Sequence, residues 1–199
     1  MPFEQLSSAE MIQSDLPLVW EWFDYRRKVV GGCEPNAAHR AIADAQRSGR
    51  FEDFTLVTQN IDGLHRAAGS TDLVELHGNI NQARCLSCGL LKSIFELPDN
   101  ERPPVCPECF DSMRPNVVLF GETLDEDALL IAYERAAACD VCIAVGTSAV
   151  VYPANQIPMI AKRERATVIE INPEETDLTI VVDVSFRGKA SEILPTLLK

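Results

Sequence analysis

The sequence predicts an α/β fold, with a parallel sheet covered by helices on both faces and a small inserted metal-binding module. Short apolar runs such as 141–148 alternate with amphipathic stretches such as 124–140, which is typical of parallel sheets. Two Cys-x-x-Cys pairs between residues 85 and 109 interrupt this alternation and indicate the module. Hydrophobic residues make up 46% of the chain, which is enough for a packed core.

The first part of the sequence predicts helices and short strands. Apolar residues at helical spacing and the Gly31-Gly32 stop predict the first helix, and Pro35-Asn36 and Gly49 bound the second. The β-rich runs are short and flanked by turn residues. The predicted elements are helices at 16–30 and 35–49, a strand at 54–59, one or two helical turns at 64–69 and a strand at 73–78.

The second part predicts the rest of a Rossmann-like sheet. Residues 80–114 contain Pro103, Pro104 and Pro107 and are expected to be poor in regular structure. Strands are predicted at 116–122, 141–148 and 167–174, a further segment at 184–190, and helices at 124–140, 153–165 and 191–199. We therefore predict three parts: a helical segment of a small lobe at 1–50, a Rossmann-like domain at 51–79 and 115–199, and the module at 80–114.

The charge balance excludes some classes of partner. Lys and Arg total 18 against 30 Asp and Glu, which gives a formal charge of −12 at pH 7. An acidic surface repels nucleic-acid phosphate and anionic membranes, so we expect neither as a partner. Basic protein segments are more plausible, and we expect a monomer.

The sequence also indicates a compartment. No run approaches the roughly 18 consecutive apolar residues of a membrane helix, and the first twenty residues do not resemble a signal peptide. We expect a cytoplasmic protein whose seven cysteines are reduced.

Four cysteines carry the spacing of a zinc site. Each Cys-x-x-Cys pair supplies two thiolates, and a loop of about 15–20 residues brings two such pairs together around one tetrahedral ion. A closed set of four thiolates predicts a structural zinc; redox dithiols and chance spacing are the alternatives. The predicted ligands are Cys85, Cys88, Cys106 and Cys109. Cys33, Cys139 and Cys142 are expected to be small core residues.

A series of short motifs resembles one protein family. In order, they are TQNIDGLH (58–65), ELHGN (75–79), the four-cysteine module, RPNVVLFGE (114–122), VGTSAVVYPA (145–154), EINPE (170–174) and RGKA (187–190). Together they resemble the sirtuins, which are NAD-dependent protein lysine deacylases, from about residue 10 to the end of the chain. The region VWEWFDYRRKVV (19–30) is most similar to the branch with bacterial deacylases and desuccinylase-type enzymes.

The resemblance implies a reaction and a base. NAD would be consumed as a cosubstrate, giving nicotinamide, an O-acyl-ADP-ribose and a free lysine. His77, which follows a strand and precedes a glycine, would take a proton from a ribose hydroxyl, and imidazole is the usual general base near neutral pH. A packed or surface histidine is the structural alternative. His39 and His65 are assigned structural roles.

The resemblance also implies the NAD contacts, all in turns that follow strands. Ligands of open α/β sheets bind at such strand ends, although each turn alone is also a common connection. Asn60 would position water or ribose, Asp62 would hold the carboxamide, and Asn172 and Glu174 would contact the adenosine ribose. The full set is Gln59, Asn60, Ile61, Asp62, Gly146, Thr147, Ser148, Asn172, Pro173, Glu174 and Ala190.

The acyl-lysine substrate would pair its backbone with two extended segments and insert its side chain into a tunnel. Val118, Phe120 and Val151 would line that tunnel, with ordinary core strands as the alternative. The desuccinylase-type branch holds acidic acyl groups with a Tyr-x-x-Arg pair, which here becomes Phe23 and Arg26. Arg26 can still bind a carboxylate, but the phenolic hydrogen bond is lost, so acidic acyl preference is expected to be weakened.

The family pattern begins with a strand and a Gly-Ala-Gly-x-Ser turn, followed by Gly-Ile-Pro-Asp-Phe-Arg, and these 199 residues contain neither. We expect this chain to be poorly stable or inactive alone, because that strand usually lies inside the sheet. A start codon assigned too late is favoured; a decayed gene or a partner-supplied strand also fits. Alternative functions are a non-catalytic, zinc-held binding module and a protein mono-ADP-ribosyltransferase.

Overall fold

The computed structural model describes residues 3–98 and 102–199, so residues 1–2 of the predicted helical segment and 99–101 of the predicted module lie outside it. In chain order the helices and strands are α1 Phe3–Leu6, α2 Ala9–Ser14, α3 Leu16–Val30, α4 Ala37–Arg47, β1 Leu56–Thr58, α5 Leu64–Ala67, β2 Leu73–Glu75, β3 Gly78–Cys85, β4 Leu91–Ser93, β5 Met113–Val117, α6 Glu126–Ala138, β6 Val141–Val145, α7 Gln156–Arg163, β7 Thr167–Asn172, β8 Val184–Arg187 and α8 Ala190–Leu197.

The contacts divide the chain into two compact units. The first unit consists of Met1–Cys33, Gln59–Gly63 and His77–Leu124. The second unit consists of Glu34–Thr58, Leu64–Leu76 and Asp125–Lys199. This division assigns α4 to the second unit, whereas the sequence-based boundaries, which stay a prediction, place it in the helical segment 1–50.

Helix α3 of the first unit begins and ends where the sequence predicts. The Asp15 side chain accepts a hydrogen bond from the Leu18 amide, and Pro17 occupies the first turn. The buried face of α3 presents Trp20 and Phe23 to the antiparallel sheet of this unit. The Trp20 Nε1 donates to the Met113 carbonyl oxygen at 2.8 Å, which satisfies the polar atom of a fully buried indole.

The sheet of the first unit differs from the sequence expectation. Strands β4, β3 and β5 form an antiparallel sheet in that order, so the region of the predicted module contains regular structure despite its prolines. Strand β5 is Met113–Val117, earlier than the predicted strand 116–122, and residues 119–122 form a turn instead. Gly121 has φ +88°, a left-handed conformation that a continuing strand does not use.

The second unit contains the parallel strands, as predicted. Among the described residues they form two sheets, β1 with β2 and β6-β7-β8. Val145 pairs with Ile171, and Asn172 pairs with Arg187, so the carboxyl ends of β6, β7 and β8 meet at one edge.

Helices α4 and α8 close one hydrophobic cluster of the second unit. Asn36 caps α4 by accepting from the Ala38 and His39 amides, and the His39 Nδ1 accepts from the Asn36 amide. The cluster is formed by buried residues of both helices and of β7, namely Ala38, Ile42, Ala45, Ile171, Leu194 and Leu198.

The three remaining cysteines are only partly where we expected them. Cys139 and Cys142 pack against a small buried cluster of the second unit, but Cys33 follows α3 and is exposed, so its predicted core position is wrong.

Helix α3, with 15 residues, is the longest of the described helices. None of the described helices is long and apolar enough to cross a membrane.

Candidate active site and metal centre

The four predicted zinc ligands lie together in the first unit. Their sulfur atoms are all within 4.8 Å of one another, with Cys85 Sγ 3.3 Å from Cys109 Sγ and Cys88 Sγ 3.6 Å from Cys106 Sγ. Sulfurs bound to one tetrahedral zinc at about 2.3 Å lie about 3.8 Å apart, so the cluster has the right size and donor chemistry. Hydrogen bonds, the largest from the Cys88 backbone amide, lower the pKa of Cys85 to about 6, which favours its thiolate. At Cys109 the Asp111 amide acts in the same direction, but hydrogen bonds with the neighbouring sulfurs outweigh it and raise the pKa to about 12.

The two metal-binding turns share a backbone conformation but not a residue type. Gly89 follows the second cysteine of the first turn with φ +73°, and Phe110 follows that of the second with φ +64°. Left-handed backbone suits glycine and strains a bulky residue. The Phe110 side chain is also 79% exposed, so packing offers no compensation.

His77 is held in one tautomer. It lies half-buried directly before β3, with Nδ1 2.9 Å from the Gln59 carbonyl oxygen. A carbonyl oxygen only accepts, so Nδ1 carries the hydrogen and Nε2 of the neutral ring keeps a lone pair. The structure therefore presents the His77 Nε2 as a base.

The glycine after His77 is required by a close approach of two strands. A side-chain carbon at Gly78 would lie 2.1 Å from the Asn116 carbonyl oxygen, and Gly78 has φ +77°. The amide of Val118 donates to the His77 carbonyl oxygen at 3.0 Å, so β5 and its extension fix the backbone on which the imidazole is mounted.

The loop 59–63 is attached to the same part of the first unit. The Gln59 carbonyl oxygen accepts from His77, and the Ile61 carbonyl oxygen accepts from the Ile80 amide at 2.8 Å. The Ile61 side chain packs against the core cluster that contains Ile80. The structure thus places Asn60, which is exposed, and Asp62, which is half-buried, on a loop anchored beside His77.

In the second unit, Asn172 joins the predicted NAD-contacting turns. Its Nδ2 donates to the Thr147 carbonyl oxygen at 2.8 Å, and its Oδ1 accepts from the Glu174 amide at 3.4 Å. Its own carbonyl oxygen accepts from the Gly188 amide at 3.3 Å. The turns after β6, β7 and β8 are therefore connected through one residue.

These turns leave room for a ligand. Gly146 has φ +59°, and among the described residues no atom outside Gly146 and its two chain neighbours lies within 4 Å of the position that a side-chain carbon would occupy. A ligand can therefore approach the backbone closely at Gly146, whose own amide donates to the Ile171 carbonyl oxygen at 2.9 Å. Ser148, Pro173 and Glu174 are exposed, while Thr147 and Ala190 are half-buried.

The predicted substrate residues differ in exposure. In the first unit Val118 is half-buried, Phe120 is 54% exposed and Phe23 is fully buried. The Arg26 guanidinium lies 5.6 Å from the Phe23 ring centroid, and burial lowers the pKa of Arg26. In the second unit Val151 is 44% exposed.

The sequence analysis missed two ion pairs, each with one buried member. Arg114 pairs with Glu122 at the turn after β5, and Glu170 pairs with Arg187 between β7 and β8. The available signal was a charged residue inside an apolar run, as in Val168–Ile171, because a buried strand tolerates a carboxylate only with partners.

Comparison with known proteins agrees with this geometry. The model of the Sir2 family matches residues 2–153. The NAD-dependent protein deacylase of Aquifex aeolicus is 45% identical over 94% of this chain and 78% of its own length. That of Thermococcus kodakarensis is 43% identical over 98% of this chain and 78% of its own length.

Solved structures show the same similarity. A Sir2 homologue in complex with NAD superposes with a TM-score of 0.89 at 40% identity, covering 98% of this chain and 75% of that one. A Sir2 protein bound to acetylated peptide gives a TM-score of 0.86 at 28% identity, covering 97% and 82%. On the family match and these identities, the chain belongs to the Sir2 family.

Proposed function

We propose that this protein is an NAD-dependent protein lysine deacylase, which consumes NAD and an acyl-lysine protein to give nicotinamide, an O-acyl-ADP-ribose and free lysine. Similar chains from Aquifex aeolicus and Thermococcus kodakarensis carry the name NAD-dependent protein deacylase. The observation that carries the proposal is the hydrogen bond from His77 Nδ1 to the Gln59 carbonyl oxygen, which leaves Nε2 free to accept a proton.

His77 is the proposed general base. Its Nε2 accepts a proton from a ribose hydroxyl of the bound cosubstrate, and the Gln59 carbonyl oxygen stabilises the resulting imidazolium through Nδ1. When bound, NAD supplies a ribose carbon open to attack and nicotinamide as its leaving group. Asn60 and Asp62 are proposed to hold water, ribose or carboxamide, with Gln59 and Ile61 completing that loop.

The second unit is proposed to bind the rest of NAD. The open space beside the Gly146 backbone lets a phosphate or ribose approach closely, and the turns joined by Asn172 present small or polar groups. The proposed contacts of this unit are Gly146, Thr147, Ser148, Asn172, Pro173, Glu174 and Ala190. We propose that residues 51–79 and 115–199 form the NAD-binding domain.

Zinc is proposed to have a structural role. Cys85, Cys88, Cys106 and Cys109 supply four thiolates in a cluster of the right size, which leaves no open coordination position. The ion would hold the module 80–114 in shape. This thiol-rich site suits a reducing compartment, so we propose a cytoplasmic location. The formal charge of −12 supports our proposal that the protein does not bind nucleic acid or membranes. We also propose that it is a monomer.

The substrate is proposed to be an acyl-lysine peptide contacted by Val118, Phe120 and Val151. Since Phe23 is fully buried and lacks a hydroxyl, Arg26 alone would bind an acidic acyl group. The missing hydrogen bond weakens succinyl or malonyl recognition by about 0.5–1.5 kcal/mol. Acetyl-lysine is therefore the expected better substrate.

The test is nicotinamide release from NAD and a panel of acyl-lysine peptides by this chain preceded by the family's Gly-Ala-Gly-x-Ser and Gly-Ile-Pro-Asp-Phe-Arg segment, with products identified by mass spectrometry. His77→Ala is expected to reduce turnover by at least ~100-fold, because a general base contributes about that much. His39→Gln, which changes a histidine of the α4 cap, is the matched control and should retain activity. ADP-ribosylated peptide without free lysine would contradict deacylation, and undiminished turnover by His77→Ala would contradict the assigned base.

A further inference from the structure

We propose that Glu170, which is not among the predicted contacts, positions the turns after β7 and β8 for the ADP portion of NAD. The inference rests on the proposed function, because it concerns the same cosubstrate. Glu170 lies in the middle of β7, two residues before Asn172, and is 2% exposed. It cannot reach solvent, so its role must be carried by the residues that it holds.

The Glu170 carboxylate is surrounded by hydrogen-bond donors. One oxygen accepts from the Thr176 hydroxyl. The other accepts from the Thr179 hydroxyl at 2.7 Å, the Ser185 hydroxyl at 3.0 Å and Arg187 Nη2 at 2.8 Å. A buried carboxylate needs such compensation, and here four donors from two segments, the β7–β8 connection and β8, converge on one side chain.

Arg187 connects Glu170 to the proposed ligand turns by hydrogen bonds. Its Nη2 contacts Glu170, and its Nη1 lies 3.4 Å from the Asn172 carbonyl oxygen. The same carbonyl oxygen accepts from the Gly188 amide, which precedes Ala190 in the turn after β8. Glu170 therefore fixes the spacing between the β7 end and the β8 end through one guanidinium.

The connection between β7 and β8 is ordered by the same carboxylate. Thr176 and Thr179 both donate to Glu170, and the Thr179 hydroxyl also accepts from Arg187 Nη2 at 2.8 Å. This connection begins at Pro173 and Glu174, which are proposed NAD contacts. Removal of the charge would loosen both ends of the connection while leaving His77 and the zinc cysteines of the first unit unchanged.

The deciding experiment is isothermal titration with ADP-ribose of this chain preceded by the same N-terminal segment, supported by steady-state kinetics. Glu170→Gln keeps the side-chain shape but loses the charge that holds Arg187. We expect its dissociation constant for ADP-ribose to rise about 10-fold, since small displacements of positioning groups have effects of that order or more. The KM for NAD should rise by a similar factor, while kcat and the KM for peptide stay unchanged.

A second variant covers the case in which Glu170→Gln does not fold. Arg187→Lys keeps the positive charge but cannot contact Glu170 and Asn172 with a planar fork, so we expect about a 3-fold weaker ADP-ribose affinity. The matched control is Glu164→Gln, which removes a surface carboxylate paired with Arg163 in the same unit, and it should bind like the unaltered chain.

The outcomes separate this proposal from the proposed function. Equal ADP-ribose affinity in the unaltered chain and in folded Glu170→Gln and Arg187→Lys would overturn the positioning role alone. A fall in kcat at unchanged KM for NAD would also overturn it. Failure of the unaltered chain to bind ADP-ribose would overturn the proposed function, and the positioning role with it.

Discussion

Each unit contains an arginine–carboxylate pair with one buried member. The buried member is the arginine in the first unit and the carboxylate in the second. In the first unit the Arg114 side chain is 8% exposed and that of Glu122 21%. In the second unit the Glu170 side chain is 3% exposed and that of Arg187 31%. The more buried member dictates which polar groups must surround the pair.

The surroundings follow that rule. The Arg114 guanidinium is met by acceptors, namely the Glu122 carboxylate and the carbonyl oxygens of Pro115 and Val117. The Glu170 carboxylate is met by the hydroxyl groups of Thr176 and Thr179 from the β7–β8 connection and of Ser185 from β8. The buried cation is thus surrounded by acceptors, including backbone carbonyl oxygens of β5, whereas the buried anion is surrounded by side-chain hydroxyl donors.

The pKa values show the same contrast. Burial would raise the pKa of Glu122, but hydrogen bonds from Arg114 and from the Leu119 amide outweigh it, so that pKa lies below its usual value. Burial also opposes ionisation of Glu170, but its four donors lower the pKa to about 2.

The largest expected effect concerns the four-cysteine cluster of the first unit. The described residues of the second unit form no comparable cluster. Cys88→Ser should abolish zinc binding and unfold the module, because structural zinc contributes about 10–16 kcal/mol in isolated zinc domains. Zinc content by atomic emission and hydrogen exchange of β3–β5 amides would measure this. Cys33→Ser, which alters an exposed cysteine, should retain zinc. Unchanged zinc content in Cys88→Ser would refute the assignment.

The next prediction tests whether the more buried member of each ion pair contributes more to stability. Arg114→Met should destabilise the protein by about 1–3 kcal/mol, more than Glu122→Gln, because it strands the buried carbonyl oxygens of Pro115 and Val117. In the second unit the order should reverse, with Glu170→Gln more harmful than Arg187→Met. Urea unfolding of the four variants measures this. The same order in both units would show that burial does not determine which member matters.

A smaller effect is expected from acid. The Glu170 pKa rises from about 2 in the folded chain to near 4.5 when unfolded, so its contribution to stability is full above pH 4.5 and is lost as pH falls towards 2. The difference in exchange protection of β7 amides between the unaltered chain and Glu170→Gln should therefore be constant from pH 7 to 4.5 and shrink below. Reading β7 amides keeps acid release of zinc in the first unit separate. A difference that does not change with pH would contradict the assigned pKa.

The smallest effect compares the two metal-binding turns. Phe110→Gly should stabilise the chain by about 0.5–1 kcal/mol, because it removes left-handed strain while adding some entropy to the unfolded state. Gly89→Ala, at the matching position, should destabilise it. Thermal unfolding measures both, and a loss of stability in Phe110→Gly would show that the aromatic ring makes compensating contacts.

Local signals predicted what depends on nearby residues. The bounds of α3 follow from apolar spacing and the Gly31-Gly32 stop. The metal cluster follows from cysteine spacing alone. The meeting of the turns after β6, β7 and β8 follows from parallel strand order.

Features set by distant partners were not predictable. The run 116–122 reads as a strand, yet residues 119–122 form a turn, in which Glu122 accepts from the Leu119 amide and pairs with Arg114. Nothing in the local pattern indicates that contact. The tautomer of His77 likewise depends on the Gln59 carbonyl oxygen, 18 residues earlier in the chain.

The crowding at Gly78 limits how this protein can be engineered. Any attempt to redirect its chemistry by randomising the segment 75–79 would meet a position where even a methyl group collides with the Asn116 carbonyl oxygen. A saturation library selected for folded protein should therefore return only glycine at that position. The placement of the imidazole is thus set by the backbone behind it, and directed evolution would have to rebuild that strand before it could move the ring.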